Sequence, residues 1–77
     1  SMGKAGKALK TVLADYGISQ NQLALALDVS PVNVSRWANE NRDPPAESAV
    51  EIKNALEKLD PAAAEAFVML YMYDDRP

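Results

Sequence analysis

Two signals for the start of a helix lie close together in this sequence, and the short stretch between them most constrains the fold. Ser19 opens a Ser-x-x-Gln capping box that ends at Gln22, a pattern typical of a helix N-terminus. Ser30 followed by Pro31 is a second such signal, because proline is tolerated at the first helical position. Only two residues, Asp28-Val29, separate the end of the first predicted helix from this second cap. The sequence therefore predicts two short helices, the second starting at Pro31, that cross each other sharply.

The rest of the chain also predicts helices. Before the first cap, apolar residues recur at helical spacing, namely Ala5, Leu9, Val12, Leu13 and Tyr16. Gly17 follows them directly, as is common just past a helix end. A further helix is predicted from about Ala46 to Leu59, with Ala49, Ile52, Leu56 and Leu59 facing inward. Asp60-Pro61 caps a last helix that should run to about Met72. We expect no pair of strands.

The composition excludes several kinds of site. The 77 residues should make one small domain over residues 1–77. The chain has no cysteine and no histidine, which removes disulfides, zinc-thiolate sites and the commonest general base. No glycine-rich phosphate loop or converging pair of carboxylates is visible. We therefore expect no enzyme, no metal site, no cofactor and no small-molecule ligand.

The charges are unevenly distributed along the chain. Residues 1–42 carry five basic and three acidic groups, whereas residues 43–77 carry three basic and eight acidic groups. A polyanion responds to the charges of the face that it touches, within a Debye length of roughly 10 Å at 0.1 M salt. The first part of the chain can therefore bind a polyanion despite the net charge of −3. The alternative is that the asymmetry has no function, as in many small domains.

The segment 18–39 resembles the helix-turn-helix of the lambda-repressor/Cro-like family of XRE-type transcriptional regulators. Gln20 is the usual residue of that family at the start of the first motif helix, and the Asn-x-x-Arg-x-Pro pattern of residues 39–44 resembles its closing loop. The family commonly has glycine in the turn, where this sequence has Asp28. The resemblance covers roughly residues 6–59. It implies a compact, all-α, five-helix DNA-binding domain in which the second and third helices form the motif.

Six residues are expected to form the core of this motif. Ala24 lies where the two helices come closest, so that a larger side chain would push them apart, and Val29 fills the turn. The predicted core residues are Leu23, Ala24, Leu27, Val29, Val34 and Trp37. The alternative is a helical bundle in which the two short helices merely pack together.

The resemblance also implies which residues contact double-stranded DNA. In such motifs the N-terminal residues of the second helix face base edges in the major groove. The implied base-contacting residues are Pro31, Val32, Asn33 and Arg36. The implied phosphate-contacting residues are Gln20, Ser30, Asn39, Asn41 and Arg42. Lys7 and Lys10 lie on the polar face of the first helix, and the sequence leaves open whether that face meets DNA.

The longest apolar run, residues 66–73, is eight residues long, much shorter than the roughly 18 residues of a membrane helix. We therefore expect no membrane partner. One helical stripe suffices to seal the core, so the remaining residues of the predicted helix 61–73 should form a dimer interface. The interface residues are Val68, Met69, Tyr71 and Met72. The run could instead cover its own domain, or form a strand.

The leading hypothesis is a sequence-specific DNA-binding transcriptional regulator that acts as a homodimer. The resemblance implies a repressor in the cytoplasm of a bacterium, of bacterial or phage origin. The alternative is a protein-interaction module on the same fold, such as an antitoxin or an acidic adaptor with a minor DNA role. The acidic second part of the chain and its apolar end favour that alternative.

Overall fold

Five α-helices follow one another in the computed structural model, which describes residues 4–39 and 44–73. They are α1 (Lys4–Tyr16), α2 (Gln20–Leu27), α3 (Pro31–Asn39), α4 (Ala46–Leu59) and α5 (Pro61–Tyr73). The described residues contain no strand, which confirms the all-α prediction and rules out the strand alternative for residues 66–73. The predicted starts of α2 and α3 are confirmed, and α5 extends one residue past Met72.

The end of α1 is closed by a backbone hydrogen bond that reverses the chain direction. Gly17 has a φ of +66°, a conformation that glycine adopts without a steric penalty. The Ile18 N–H donates to the Leu13 carbonyl at 3.0 Å, which is the six-residue bond of a Schellman motif. Ile18 is half-buried and packs against the core. The motif therefore both ends α1 and directs the chain into α2.

The end of α2 has the same geometry, although it lacks glycine. Asp28 has φ +60° and ψ +44°, and its N–H donates to the Leu25 carbonyl at 3.2 Å. The Val29 N–H donates to the Ala24 carbonyl at 3.1 Å, which completes the Schellman pair of bonds. A left-handed conformation costs most L-residues about 1–2 kcal/mol, and aspartate adopts it more readily than most. The turn of the motif is thus intact without glycine.

The buried core draws on all five helices. It consists of Ala8, Leu9, Val12, Leu13, Leu23, Ala24, Val34, Ile52, Ala55, Leu56, Ala63, Ala64 and Phe67. α1 contacts α3 and α5, α2 contacts α3 and α4, and α4 contacts α5. The two motif helices are therefore held against a frame made by α1, α4 and α5.

Two residues that were predicted to face inward are exposed. Tyr16 and Leu59 follow the apolar stripes of α1 and α4, but each is the last residue of its helix. The last residue of a helix has neighbours in its own helix on one side only. At both positions the apolar stripe continues one residue past the part of the helix that another helix covers. The prediction was wrong at both positions for this reason.

Candidate nucleic-acid interface

The N-terminus of α2 keeps two backbone donors free. The Gln22 N–H donates to Oγ of Ser19 at 3.0 Å, and the Ser19 N–H donates to Oε1 of Gln22 at 2.9 Å, which confirms the predicted capping box. The N–H groups of Gln20 and Asn21 have no acceptor among the described residues. Because the N-terminal end of a helix is electropositive, these groups can receive an anion such as a phosphate.

Lys10 adds a positive charge next to this helix end. Residues of α1, the start of α2 and Ala38 line a shallow depression of about 330 Å³, with Lys10, Ser19 and Gln20 among them. The side chain of Gln20 is half-buried, and that of Lys10 is exposed. The structure thus places Lys10, whose orientation the sequence left open, beside the free donors of α2.

The N-terminus of α3 differs because its first two N–H donors, those of Val32 and Asn33, are already used. Pro31 has no N–H, the Val32 N–H donates to Oγ of Ser30 at 3.2 Å, and the Asn33 N–H donates to the Ser30 carbonyl at 3.0 Å. Ser30 is therefore a cap, as predicted. Any contact between Ser30 and a phosphate would have to use its own hydroxyl hydrogen.

The residues of α3 separate into a buried face and an exposed face. Val34 and Ala38 are buried, and Trp37 is half-buried against the core. The four residues predicted to meet bases are all exposed, namely Pro31, Val32, Asn33 and Arg36. Of the six predicted motif-core residues, Leu23, Ala24 and Val34 are buried, while Leu27, Val29 and Trp37 are half-buried and pack against the core.

The last residue of α3 makes a hydrogen bond that the sequence analysis missed. Asn39 is exposed, and its Nδ2 donates to Oγ of Ser35 at 3.2 Å. The spacing of four residues between two polar side chains on a helix was the signal available in the sequence. Asn41 and Arg42, which were also expected to contact phosphate, lie outside the described residues.

Apart from Asp28 in the turn that joins them, no exposed carboxylate of the described residues lies on these two helices. α2 and α3 contain no acidic residue, and Arg36 lies in the last turn of α3. The second part of the chain exposes four glutamates on α4 and α5, which are Glu47, Glu51, Glu57 and Glu65. The face formed by α2 and α3 is therefore the one that a polyanion can approach.

A sequence model of the helix-turn-helix family matches residues 9–62, more than two thirds of the chain. The chain belongs to the lambda repressor/Cro-like helix-turn-helix family. Comparison with curated proteins and with solved structures returned no match. This helix-turn-helix family consists of DNA-binding, non-enzymatic domains, and the chain is a DNA-binding helix-turn-helix regulator.

Most of α5 lies beyond the residues that match the helix-turn-helix family. Of the four residues predicted to form an interface there, Val68 and Tyr71 are half-buried, whereas Met69 and Met72 are 54% and 59% exposed. Tyr71 packs against the core of its own chain. Val68 and Tyr71 therefore help to cover their own domain, whereas Met69 and Met72 lie on the exposed side of α5.

Val50 extends this exposed apolar surface, although the sequence analysis did not single it out. It is exposed on α4 and lines a groove of about 390 Å³ between α4 and α5, together with Val68, Tyr71 and Met72. The signal in the sequence was an apolar residue next to Glu51 on an otherwise polar face of α4.

Residues 4–39 and 44–73 contain no candidate membrane helix and no candidate metal site. None of the helices in these segments has the length and apolar character required to cross a membrane. No group of three or more acidic residues in them is arranged to hold a metal ion.

Proposed function

We propose that this helix-turn-helix protein is a sequence-specific transcriptional repressor that binds double-stranded DNA as a homodimer in the bacterial cytoplasm. The observation that carries the proposal is the exposure of Val32, Asn33 and Arg36 on a helix whose opposite face is buried. The repressor role rests on the analogy with the family.

Base recognition is assigned to the exposed face of α3. In the major groove, Arg36 can donate two hydrogen bonds to guanine O6 and N7, and Asn33 can bridge N6 and N7 of adenine. Val32 and Pro31 offer an apolar surface to a thymine methyl group. Each well-formed bidentate contact contributes about 1–3 kcal/mol of discrimination, so one domain specifies few base pairs.

Phosphate contacts are proposed on both sides of α3. On one side, Lys10 lines the same depression as Gln20, at the end of α2 where the N–H groups of Gln20 and Asn21 are free. On the other side, we assign backbone contacts to Asn39, Asn41 and Arg42. Ser30 contributes its hydroxyl hydrogen only, because its oxygen caps α3. Two flanking sets of contacts would fix the register of α3 in the groove.

Homodimer formation is proposed because a single domain would make few contacts with DNA. Even with three or four cationic phosphate contacts, more than the Lys10 and Arg42 contacts assigned above, binding by a monomer would be weak and its salt slope only about −3 to −4. Two domains on half-sites about 34 Å apart would double the base contacts. The exposed edge of α5, with Met69 and Met72, is the surface that we assign to this association.

The proposal is tested by fluorescence anisotropy with a mixed-sequence duplex at about 50 and 200 mM salt, followed by selection of bound sequences from a random pool. We expect binding that weakens with salt and a selected site with two related halves. Arg36→Ala should relax the preference at one base pair per half-site. A uniform loss for all sequences would instead identify Arg36 as a phosphate contact.

A second candidate function is a protein-interaction module, such as an antitoxin or an acidic adaptor. The apolar groove between α4 and α5, next to Glu57 and Glu65, favours it. No binding of any duplex at about 50 mM salt would exclude the first proposal and leave this one.

A further inference from the structure

Two polar side chains on α3 are joined by a hydrogen bond. Nδ2 of Asn39 donates to Oγ of Ser35, which lies one helical turn earlier, at 3.2 Å. A serine inside a helix often donates its hydroxyl hydrogen to the carbonyl four residues before it, here that of Pro31. Among the described residues Ser35 makes no such bond. Its hydroxyl hydrogen therefore remains available.

The chemistry of the pair matches an acceptor that carries negative charge. A hydroxyl oxygen that accepts from Asn39 can still donate its own hydrogen, and the Asn39 amide retains a second N–H. If the amide were turned by 180°, Ser35 would donate to Oδ1 and both N–H groups of Asn39 would be free. In either arrangement the pair presents two donors, and a phosphate oxygen only accepts hydrogen bonds.

We propose that Ser35 and Asn39 together bind one backbone phosphate of DNA, with Ser35 also orienting the Asn39 amide. This site rests on the proposed DNA-binding function and adds Ser35 to the residues that hold the duplex. Ser35 is half-buried and Asn39 is exposed, so the amide is reached first by a ligand and the hydroxyl is held below it.

The position of the pair on α3 fits a phosphate better than a base. The residues near the N-terminus of a recognition helix reach the base edges, so its last residue lies closer to the backbone of the duplex. Arg36 lies three residues before Asn39, and its charge offsets the negative end of the helix dipole that would otherwise repel an anion. The pair then supplies the directional hydrogen bonds.

The test is a double-mutant cycle on affinity for a mixed-sequence duplex, with Ser35→Ala, Asn39→Ala and the double variant. We expect Ser35→Ala to weaken binding by about three- to tenfold, the effect of losing one hydrogen bond. The double variant should be no more than about twofold weaker than Asn39→Ala, because the two residues serve one contact. Ser35→Thr, which keeps the hydroxyl, should restore most of the affinity.

Three further measurements separate this role from a structural one. Alanine has a higher helix propensity than serine, so Ser35→Ala should keep or raise the melting temperature while it weakens binding. The slope of log affinity against log salt concentration should be unchanged in Ser35→Ala, because no cation is lost. Ser48→Ala, at a half-buried serine of α4, is the matched control and should not alter affinity.

Each remaining outcome contradicts the proposal. Unchanged affinity of Ser35→Ala, with a wild-type protein that binds DNA and depends on Arg36, overturns the phosphate site but not the DNA-binding function. The phosphate site is also overturned if the losses of binding free energy in Ser35→Ala and Asn39→Ala are additive in the double variant, or if Ser35→Ala changes the preference at one base pair. If the wild-type protein binds no duplex, both this site and the proposed function fail.

Discussion

The rings of Phe67 and Tyr71 are stacked, with centroids 6.0 Å apart and planes within 1° of parallel. Phe67 is buried in the core, and Tyr71 is half-buried at its edge. The pair thus ties the C-terminal half of α5 to its own domain. Met69 and Met72 are left on the exposed side of the same helix, where they are not needed to cover the core.

A charge on this exposed side should prevent homodimer formation. Met69→Glu places a carboxylate in the proposed interface, and burying an unpaired charge costs several kcal/mol. Since about 1.4 kcal/mol is tenfold in affinity, the dimer dissociation constant should rise by at least about 100-fold. Sedimentation equilibrium at micromolar concentration measures it.

The matched control for this change is Leu25→Glu, at an apolar residue of α2 that is 83% exposed. This variant should dimerise like the wild-type protein. A wild-type protein that is monomeric at all concentrations, or a Met69→Glu variant that still dimerises, would contradict the assignment of α5.

Two leucines on α2 should differ sharply in their effect on stability. Leu23 is fully buried in the core, whereas Leu25 is mostly exposed. Leu23→Ala should lower the free energy of unfolding by about 2–5 kcal/mol, through lost burial and the resulting cavity. Leu25→Ala should change it by less than about 0.5 kcal/mol. Urea denaturation followed by circular dichroism measures both, and similar losses would mean that the two faces of α2 are wrongly assigned.

Replacing Asp28 by glycine should stabilise the turn between α2 and α3. Asp28 has a φ of +60°, which strains any L-residue to some degree. Asp28→Gly removes that strain and should raise the free energy of unfolding by up to about 1 kcal/mol. Thr11→Gly, at an exposed position inside α1, is the control and should lower it slightly. Equal losses in the two variants in urea denaturation would contradict the strain argument.

Two exposed lysines should differ in their effect on the salt dependence of DNA binding. Lys10 lies beside the free donors of α2, whereas Lys58 lies at the end of α4. Lys10→Ala should reduce the slope of log affinity against log salt by about 0.9, the value for one phosphate contact. Lys58→Ala should leave the slope unchanged. Fluorescence anisotropy at several salt concentrations distinguishes them, and a slope that depends on Lys58 would place DNA on another face.

Local signals in the sequence were sufficient for the helices and the family. The Ser19 capping box and the Ser30-Pro31 cap depend on residues within three positions of each other, so both could be predicted without knowledge of the tertiary fold. The periodicity of α4 likewise predicted Ala49, Ile52 and Leu56 as buried, but it missed Ala55 and wrongly included Leu59 at the end of the helix.

Relationships between helices were not predictable in the same way. That Lys10 lies next to Gln20 depends on how α1 packs against the start of α2. That Val50 continues the apolar surface of α5 depends on the packing of α4 against α5. A single sequence contains no direct record of such contacts, because the residues involved are far apart or on different periodic stripes.

The Schellman motifs at the ends of α1 and α2 have a consequence for redesign. The bond to the Leu13 carbonyl directs the chain into α2, and the direction of α3 is set by the bond to the Ala24 carbonyl and by buried residues such as Val34. None of these involves the side chains that face outward from α3. New preferences for DNA sequence could therefore be introduced by randomising Val32, Asn33 and Arg36 in a library. Few of its variants should be lost to misfolding.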